Sequence, residues 1–420
     1  MRTGLHRIGT GALGRGRLRR RAVSESEQIL RVAAKGDGVT ASGRHVAFTA
    51  PGDGVAPDGT VQPGPHHVSP PCRHFGRCGG CQLQQLDESS LAQFVLERVL
   101  YAAEGQGLEP QVVAQVHLSP PATRRRASLR SVNGGGRPLI GFNEVGSHKV
   151  IDLRECHVIA PELFAIIEPL RGLLGPQRGK FAATIDLTLA EQGIDCAIKG
   201  IAFEGLAAVE GLLDFCRDHG LARLTLDQGF GPEAFWEPEP VTVSLAGVTV
   251  DLPPGAFLQA TADGEAALTN ATREWLGDCT QVADLFSGLG TFGFALAGNA
   301  KVLAAEAARD SHLACRAAAR RAGLSVDAVH RDLFRNPVRG EELAGFDGVV
   351  LDPPRAGARD QVLQLAGSAV PRIAYISCNP SSWARDARVL VDGGYRLQEL
   401  RPVGQFRWST HVELASLFVR

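Results

Sequence analysis

The stretch Gln281-Val-Ala-Asp284-Leu-Phe-Ser-Gly288-Leu-Gly290-Thr-Phe292 decides the fold. Residues 281–286 form an apolar run of strand length, and glycines follow at once, where a buried strand must turn into a helix beginning near residue 292. Glycine there makes a tight turn and lets main chain approach a ligand closely. The same alternation repeats outward. A strand is expected over 301–306, a helix over 309–322, and further buried strands over 346–351 and 373–377. This β-α-β-α rhythm predicts an α/β domain with an open, mostly parallel sheet and helices on both faces.

Such sheets bind ligands beyond the carboxyl ends of their strands. With Gly293, the turn matches the dinucleotide pattern G-x-G-x-x-G. Glu306 closes the second strand, where a carboxylate accepts from ribose hydroxyls, and Asp332 is expected to end the third and reach an adenine amino group. Each residue alone is an ordinary turn or cap residue. In order, they favour an adenosine-containing cofactor, either NAD or S-adenosylmethionine (SAM). No Gly-Lys-Ser/Thr accompanies them, which counts against ATP.

Asp352-Pro-Pro-Arg355 ends the fourth strand and Ser377-Cys378-Asn379-Pro380 the fifth. In amino-group methylation an aromatic residue usually follows the Pro-Pro; Arg355 stands there instead. A cysteine beside a methyl donor points to covalent catalysis. Uracil C5 is a poor nucleophile until a thiolate adds to C6, and a base must afterwards remove the C5 proton. Glu413, in Trp408-Ser-Thr-His-Val-Glu413, is the candidate base, and His411, on the same strand face, competes with it. The bland alternatives are a small buried thiol for Cys378 and a surface charge for Glu413. The Asn-Pro turn after Cys378 argues for an exposed thiol.

The chain has 420 residues, room for two or three domains, with 44 Lys+Arg against 45 Asp+Glu. A net charge of −1 excludes binding of nucleic acid through bulk positive charge, so any such contact must be local. No run approaches the roughly 18 apolar residues that span a bilayer, and a soluble, cytoplasmic protein with no membrane partner is expected. Residues 1–22 hold seven arginines and no acid, and are expected to be a disordered basic arm. Residues 23–70, rich in Gly and Pro, suggest a short β module, 71–251 a mixed central region, and 252–420 the α/β domain, with the boundary at Pro253-Pro-Gly255. An amphipathic helix over 87–104 carries Leu91, Phe94, Val95, Val99 and Ala102 on one face and is expected to pack on the α/β domain. Alternating stretches at 184–190 and 241–250 read as strands.

Three of the nine cysteines, Cys72, Cys78 and Cys81, fall within ten residues. An odd count and such local spacing fit a metal or cluster better than a disulfide framework. Four thiolates could hold zinc or iron–sulfur, and spacing leaves both open. Cys196, Cys216, Cys279 and Cys315 sit in apolar or helical surroundings and read as core. Thr123-Arg124-Arg125-Arg126 with Arg130 forms a dense basic patch, read as phosphate contacts or as a charged strand edge. Phe257 and Tyr375 are candidates for stacking on a base, or for core.

Together these motifs resemble the SAM-dependent RNA uracil-5 methyltransferases, and within them the iron–sulfur-containing 23S rRNA branch. The resemblance runs from Pro71 to the C-terminus on Cys72-x5-Cys78-Gly-Gly-Cys81-Gln-Leu-Gln, Arg124-Arg-Arg, Gly141-Phe142, Asp152-Leu-Arg-Glu-Cys156, Phe257-Leu-Gln259, the 284–290 turn, Asp352-Pro-Pro-Arg-Ala-Gly and Ser377-Cys-Asn-Pro. It implies a C-terminal class I (Rossmann-like) methyltransferase domain, a central α+β cluster-containing region and an N-terminal β-barrel of the TRAM type. Residues 28–70, with Gly36-Asp-Gly-Val39, look like a shortened form of that barrel. The resemblance further implies SAM as cofactor, contacted at Gln259, Phe286, Gly288, Thr291, Glu306, Asp332 and Asp352. Cys378 is implied as nucleophile, Glu413 as proton acceptor, and Cys72, Cys78, Cys81 and Cys156 as ligands of a [4Fe–4S] cluster. The expected partner is RNA, 23S rRNA first, bound by a monomer. Rival readings are a tRNA uracil-5 methyltransferase, an RNA cytosine-5 methyltransferase, or a non-catalytic RNA-binding protein. Asp352-Pro-Pro-Arg lacks the second cysteine typical of the cytosine enzymes.

Overall fold

The computed structural model describes residues 26–133, 136–177 and 179–420. The basic arm expected over 1–22 lies outside them.

The C-terminal half is built on a nine-stranded sheet. Val326–His330, Lys301–Glu306, Gln281–Leu285, Gly348–Leu351 and Arg372–Ser377 run parallel in that spatial order. Glu413–Val419 then enters antiparallel between Arg372–Ser377 and Arg396–Gly404. These strands are apolar on both faces because both are covered. Val350, Ala374, Ile376 and Ala415 point into one core with Leu268, Trp275 and Phe292. Val349, Leu351 and Tyr375 point into the other with Trp383, Ala387, Leu390 and Phe418. The α/β domain expected from the 281–292 string is present.

The helix Glu88–Glu104 is capped by Asp87, whose side chain accepts from the Ser90 amide at 2.7 Å. Its Leu91, Phe94, Val95 and Val99 are buried in the same core as Trp383 and Leu390. Beyond it, Val112–Val113 and His117–Leu118 pair in parallel with Arg396–Gly404. The chain therefore reaches the nine-stranded sheet well before residue 252.

The central sheet has six strands, with Phe181–Ala190 between Arg126–Asn133 and Gly193–Lys199. Ala127, Leu129, Ile185 and Leu187 alternate inward, against Leu163, Leu170 and Leu212 from three helices. Residues 241–250 fall in a separate hairpin, Thr242–Leu245 with Val248–Asp251. Its Val243, Leu245 and Val250 pack on Ala314 and Ala318 of the helix Arg309–Arg321 instead of on the central core.

The N-terminal module has five short strands, ordered so that Glu27–Val32 lies at the centre. The outer strands, His45–Val46 and Val61–Gln62, pair with one neighbour each and do not close on one another. The buried Asp53 carboxylate holds the loops together, accepting from the amides of Ala50 (2.7 Å) and Gly64 (2.8 Å) and bonding His67 Nδ1 (2.7 Å).

Candidate active site

The turn after Gln281–Leu285 is shaped by backbone that only glycine adopts freely. Gly290 has φ +97°, and a Cβ there would lie 2.7 Å from the Phe294 ring and 2.9 Å from Cys315 Sγ. Phe286, at φ +64°, carries the same left-handed conformation without that freedom. Glu306 straps the turn down, accepting from the Gly288 amide at 2.9 Å and the Ala308 amide at 2.6 Å. Under it, fully buried Asp284 accepts from the Gly293 amide at 2.8 Å, while its Oδ1 has no partner. Burial pushes the Asp284 carboxyl up to about 7.

A cavity of about 490 Å³ runs from this turn to the ends of the next strands. Gly288, Glu306, Leu333 and Phe334 line one part, and Asp352, Pro354, Arg355, Cys378 and Glu413 another, with Gln259, Phe286 and Thr291 between. Every cofactor residue expected from the sequence lines it except Asp332. That carboxylate is used by its own turn, accepting from the Phe334 amide at 3.0 Å and pairing with Arg335 at 3.5 Å. The cavity wall there is the apolar pair Leu333 and Phe334.

Cys378 follows the strand Arg372–Ser377 and precedes Asn379, the N-cap of the helix Pro380–Asp392. Asn379 Nδ2 donates to the Arg355 carbonyl at 2.9 Å, and Ser382 Oγ donates to it at 3.0 Å. These bonds tie the cysteine turn to Asp352-Pro-Pro-Arg355. Glu413 opens the antiparallel strand beside Arg372–Ser377 and is buried. The site is thus a low-dielectric pocket holding more acid than it can ionise. Burial pushes Glu413 up to about 8. Burial and the Glu413 and Asp284 carboxylates hold Asp352 well above the usual range. Burial and the Glu413 and Asp352 carboxylates push the Cys378 thiol up to about 11, against Arg355, which acts the other way. A cationic ligand in the cavity would lower all three.

His411 lies outside the lining, with Nδ1 3.3 Å from the Arg355 guanidinium, and burial holds its pKa below the ordinary value. Phe257 is 62% exposed in the cavity lining, whereas Tyr375 is core, its hydroxyl donating to Asp386 at 2.7 Å. Sequence reasoning missed Gln405. It is buried in the loop before Glu413, its Oε1 accepting from the Ala260 amide at 3.0 Å and its Nε2 donating to Gln259 Oε1 at 2.9 Å. The only sequence signal was a lone amide among Val403, Gly404 and Phe406.

Arg124, Arg125 and Arg126 do not form an open strip; each guanidinium is engaged inside the molecule. Arg125 donates to the Gln259 carbonyl at 3.0 Å and pairs with Glu265. Arg126 donates to the Leu258 carbonyl and lies over the Phe257 ring, 5.2 Å from its centroid. Arg124 lies over Phe406. They join the central sheet to the segment that lines the active site, because a strand edge lying against another domain turns its long side chains into clamps. Arg130 is exposed.

Cys72, Cys78, Cys81 and Cys156 line one small cavity of about 40 Å³, together with Phe75, Phe142, Leu153, Val158 and Arg124. Burial raises the Cys81 thiol to about 12. The four thiols face a largely apolar wall that also carries Gln84, Arg124, Glu155 and His157. Among the described residues, no three Cys, His, Asp or Glu side chains are grouped to hold a single metal ion. Cys196, Cys216, Cys279 and Cys315 are buried elsewhere.

A parallel sheet with a glycine turn at one strand end, a carboxylate at the next and a long cavity across their carboxyl ends is the architecture of a Rossmann-like domain. A sequence model of the tRNA (uracil-5-)-methyltransferase family matches residues 251–420. An uncharacterised RNA methyltransferase of Zymomonas mobilis is 45% identical over 94% of this chain and 100% of its own length. The 23S rRNA (uracil(1939)-C(5))-methyltransferase RlmD of Edwardsiella ictaluri is 33% identical over 84% of this chain and 82% of its own. The crystal structure of the Pyrococcus abyssi tRNA (uracil-54, C5)-methyltransferase with S-adenosyl-L-homocysteine has the same fold, with a TM-score of 0.72, 24% identity, and coverage of 94% of this chain and 100% of that one. The chain belongs to the family of SAM-dependent RNA uracil-5 methyltransferases. No helix among the described residues is long and apolar enough to cross a membrane.

Proposed function

We propose that the protein methylates C5 of a uridine in 23S rRNA through a covalent Cys378 adduct, with Glu413 as the base. The observation that carries this reading is that Cys378 and Glu413 line the same cavity as Gly288 and Glu306. SAM supplies an electrophilic methyl group on a sulfonium, and Gly288, Glu306, Phe286, Thr291 and Gln259 are the residues to hold it, with Asp352 beside the reacting end.

The Cys378 thiolate adds to uracil C6, and the electron pair displaced toward C5 makes that carbon nucleophilic. After C5 takes the methyl group, Glu413 accepts the C5 proton, the C5–C6 double bond re-forms, and the thiolate leaves C6. Thiolate formation is helped by Arg355, which opposes the burial cost at Cys378. Phe257, exposed in the cavity lining with Arg126 over its ring, supports a rim that stacks on a base taken out of its helix. Phosphate contact is assigned to exposed Arg130, while Arg124, Arg125 and Arg126 serve as internal clamps.

The 23S substrate rests on the RlmD relative and on the four convergent cysteines. Cys72, Cys78, Cys81 and Cys156 would hold a [4Fe–4S] cluster, whose role is to cross-link residues 72–81 to residue 156. The protein acts as a cytoplasmic monomer in this reading. To test it, the purified protein is incubated with labelled SAM and either 23S rRNA or tRNA fragments, and the product nucleoside is identified by mass. Expected is 5-methyluridine in the 23S fragment; 5-methyluridine in tRNA alone would move the substrate, and 5-methylcytidine would overturn the mechanism.

A further inference from the structure

Two segments border the reacting end of the cavity, residues 352–359 and 378–386, and both carry arginines to the surface. Arg355, Arg359 and Arg385 are all exposed, and Arg355 lines the cavity with Cys378. Several bonds fix the first segment against the second. The Pro354 carbonyl accepts from the Gly357 amide at 2.9 Å, and the Ala356 carbonyl accepts from Arg385 Nη2 at 3.4 Å. The Ala358 amide donates to Asp386 Oδ2 at 2.7 Å, and a Cβ on Gly357 would lie 2.5 Å from that same oxygen. Arg359 follows Ala358 and Arg385 precedes Asp386, so this bond brings the two cations onto adjoining backbone.

Among the described residues, none of the three is in an ion pair. Nearby arginines are: Arg388, further along the helix Pro380–Asp392, pairs with Asp392 at 2.9 Å, and Arg335, next to Phe334, with Asp332 at 3.5 Å. The acids of the two segments leave the cations bare. Asp352 lines the cavity, Asp386 is buried with its carboxylate bonded to Ala358 and the Tyr375 hydroxyl, and exposed Asp360 pairs with neither arginine. That arrangement costs the fold. Arg359 opens the helix Arg359–Ala366, the end at which the helix dipole disfavours a cation, and Arg385 adds like charge on adjoining backbone. An anion lying across both removes the cost, and the guanidinium fork matches a phosphate. A uridine that reaches Cys378 leaves its own phosphates at the mouth, where the strand continues on either side. We propose that Arg359 and Arg385, just outside the cavity, bind the phosphodiester backbone of the RNA strand beside the uridine held at Cys378. This rests on the reading of RNA as the substrate. Such contacts position the strand and do not read its sequence.

The test compares Arg359→Ala, Arg385→Ala and the double variant with Arg396→Ala. The last removes an equally exposed arginine at the far end of the sheet, where Arg396 pairs with Val419. Melting and S-adenosyl-L-homocysteine binding are expected to match wild type in all four, since none of these side chains lines the cavity. Binding of a 23S rRNA fragment, and of an unrelated single strand of equal length, is measured over a salt series. The slope of log affinity against log salt should fall by about one for each arginine removed at the mouth, alike for both RNAs. Arg396→Ala should leave it unchanged, and lysine at both 359 and 385 should restore it, because the slope counts charges. In methyl transfer the double variant should show a raised KM for RNA at the wild-type kcat. A wild-type slope in the double variant would overturn the proposal, as would an equal loss in Arg396→Ala or a loss confined to one of the two RNAs. Wild-type protein that transfers no methyl group to any RNA would sink the substrate reading itself. Wild-type protein that makes 5-methyluridine, beside a double variant that binds RNA unchanged, would sink only the present inference.

Discussion

The guanidinium of Arg124 lies over the ring of Phe406, 5.2 Å from its centroid. Arg124 also lines the four-cysteine cavity, and Phe406 meets the His411 ring edge-on at 5.8 Å. A second tie runs beside the first. The amides of Gln82 and Leu83, just after Cys81, donate to the Trp408 carbonyl at 2.7 and 3.0 Å. The cysteine segment therefore holds the loop that leads into Glu413.

Removing the cysteine site should loosen that loop. Cys81→Ala is expected to abolish bound iron and sulfide and to lower the thermal midpoint, with methyl transfer falling in parallel. Metal analysis, melting and product mass are measured on the same preparation. One zinc and no iron in the anaerobically purified protein would replace the cluster with a zinc site.

The two side chains proposed for the chemistry, Cys378 and Glu413, should fail differently. Cys378→Ala is expected to give neither product nor adduct. Glu413→Gln should form the adduct and stall before proton loss, visible as a protein–RNA band that survives denaturation. Methylation that persists in Cys378→Ala would remove the covalent mechanism.

The Glu413 carboxyl, raised to about 8, sets a pH signature. As a base it must be ionised, so the rate should climb as pH rises through that region. Its stability effect has the opposite sense. A raised folded pKa means that the folded state holds the proton more tightly, so the protein loses stability as pH rises from about 4.5 toward 8. Glu413→Gln removes that loss. It should melt about 3 °C higher than wild type near pH 8 and equally near pH 5, as differential scanning calorimetry would show.

The arginines should separate into clamps and contacts. Arg125→Ala leaves the buried Glu265 without its partner, at a cost of about 3 kcal/mol. A lower melting point and weaker cofactor binding are expected, since the Arg125–Gln259 bond is lost as well. Arg130→Ala should leave melting unchanged and flatten the salt dependence of RNA binding. The reverse pattern in a filter-binding series would exchange their roles.

Much of this protein is determined along the chain. The 281–292 string dictates strand, turn and helix, because glycines at residues 288 and 290 meet a local backbone demand and strand periodicity is itself local. The strand-end positions of Glu306, Asp352, Cys378 and Glu413 follow from the same rhythm, and all four line the cavity. What the tertiary structure alone decided concerns side chains whose partners lie far off in sequence. Asp332 turned to cap its own loop, since the Leu333–Phe334 wall filled the cavity side. The Arg124–Arg126 triplet reads as a surface patch because nothing local reveals the 257–265 segment lying against it. Gln405 stayed invisible for the same reason: its partners Gln259 and Ala260 lie some 145 residues earlier, and a buried amide takes its meaning only from the donors and acceptors that folding brings to it.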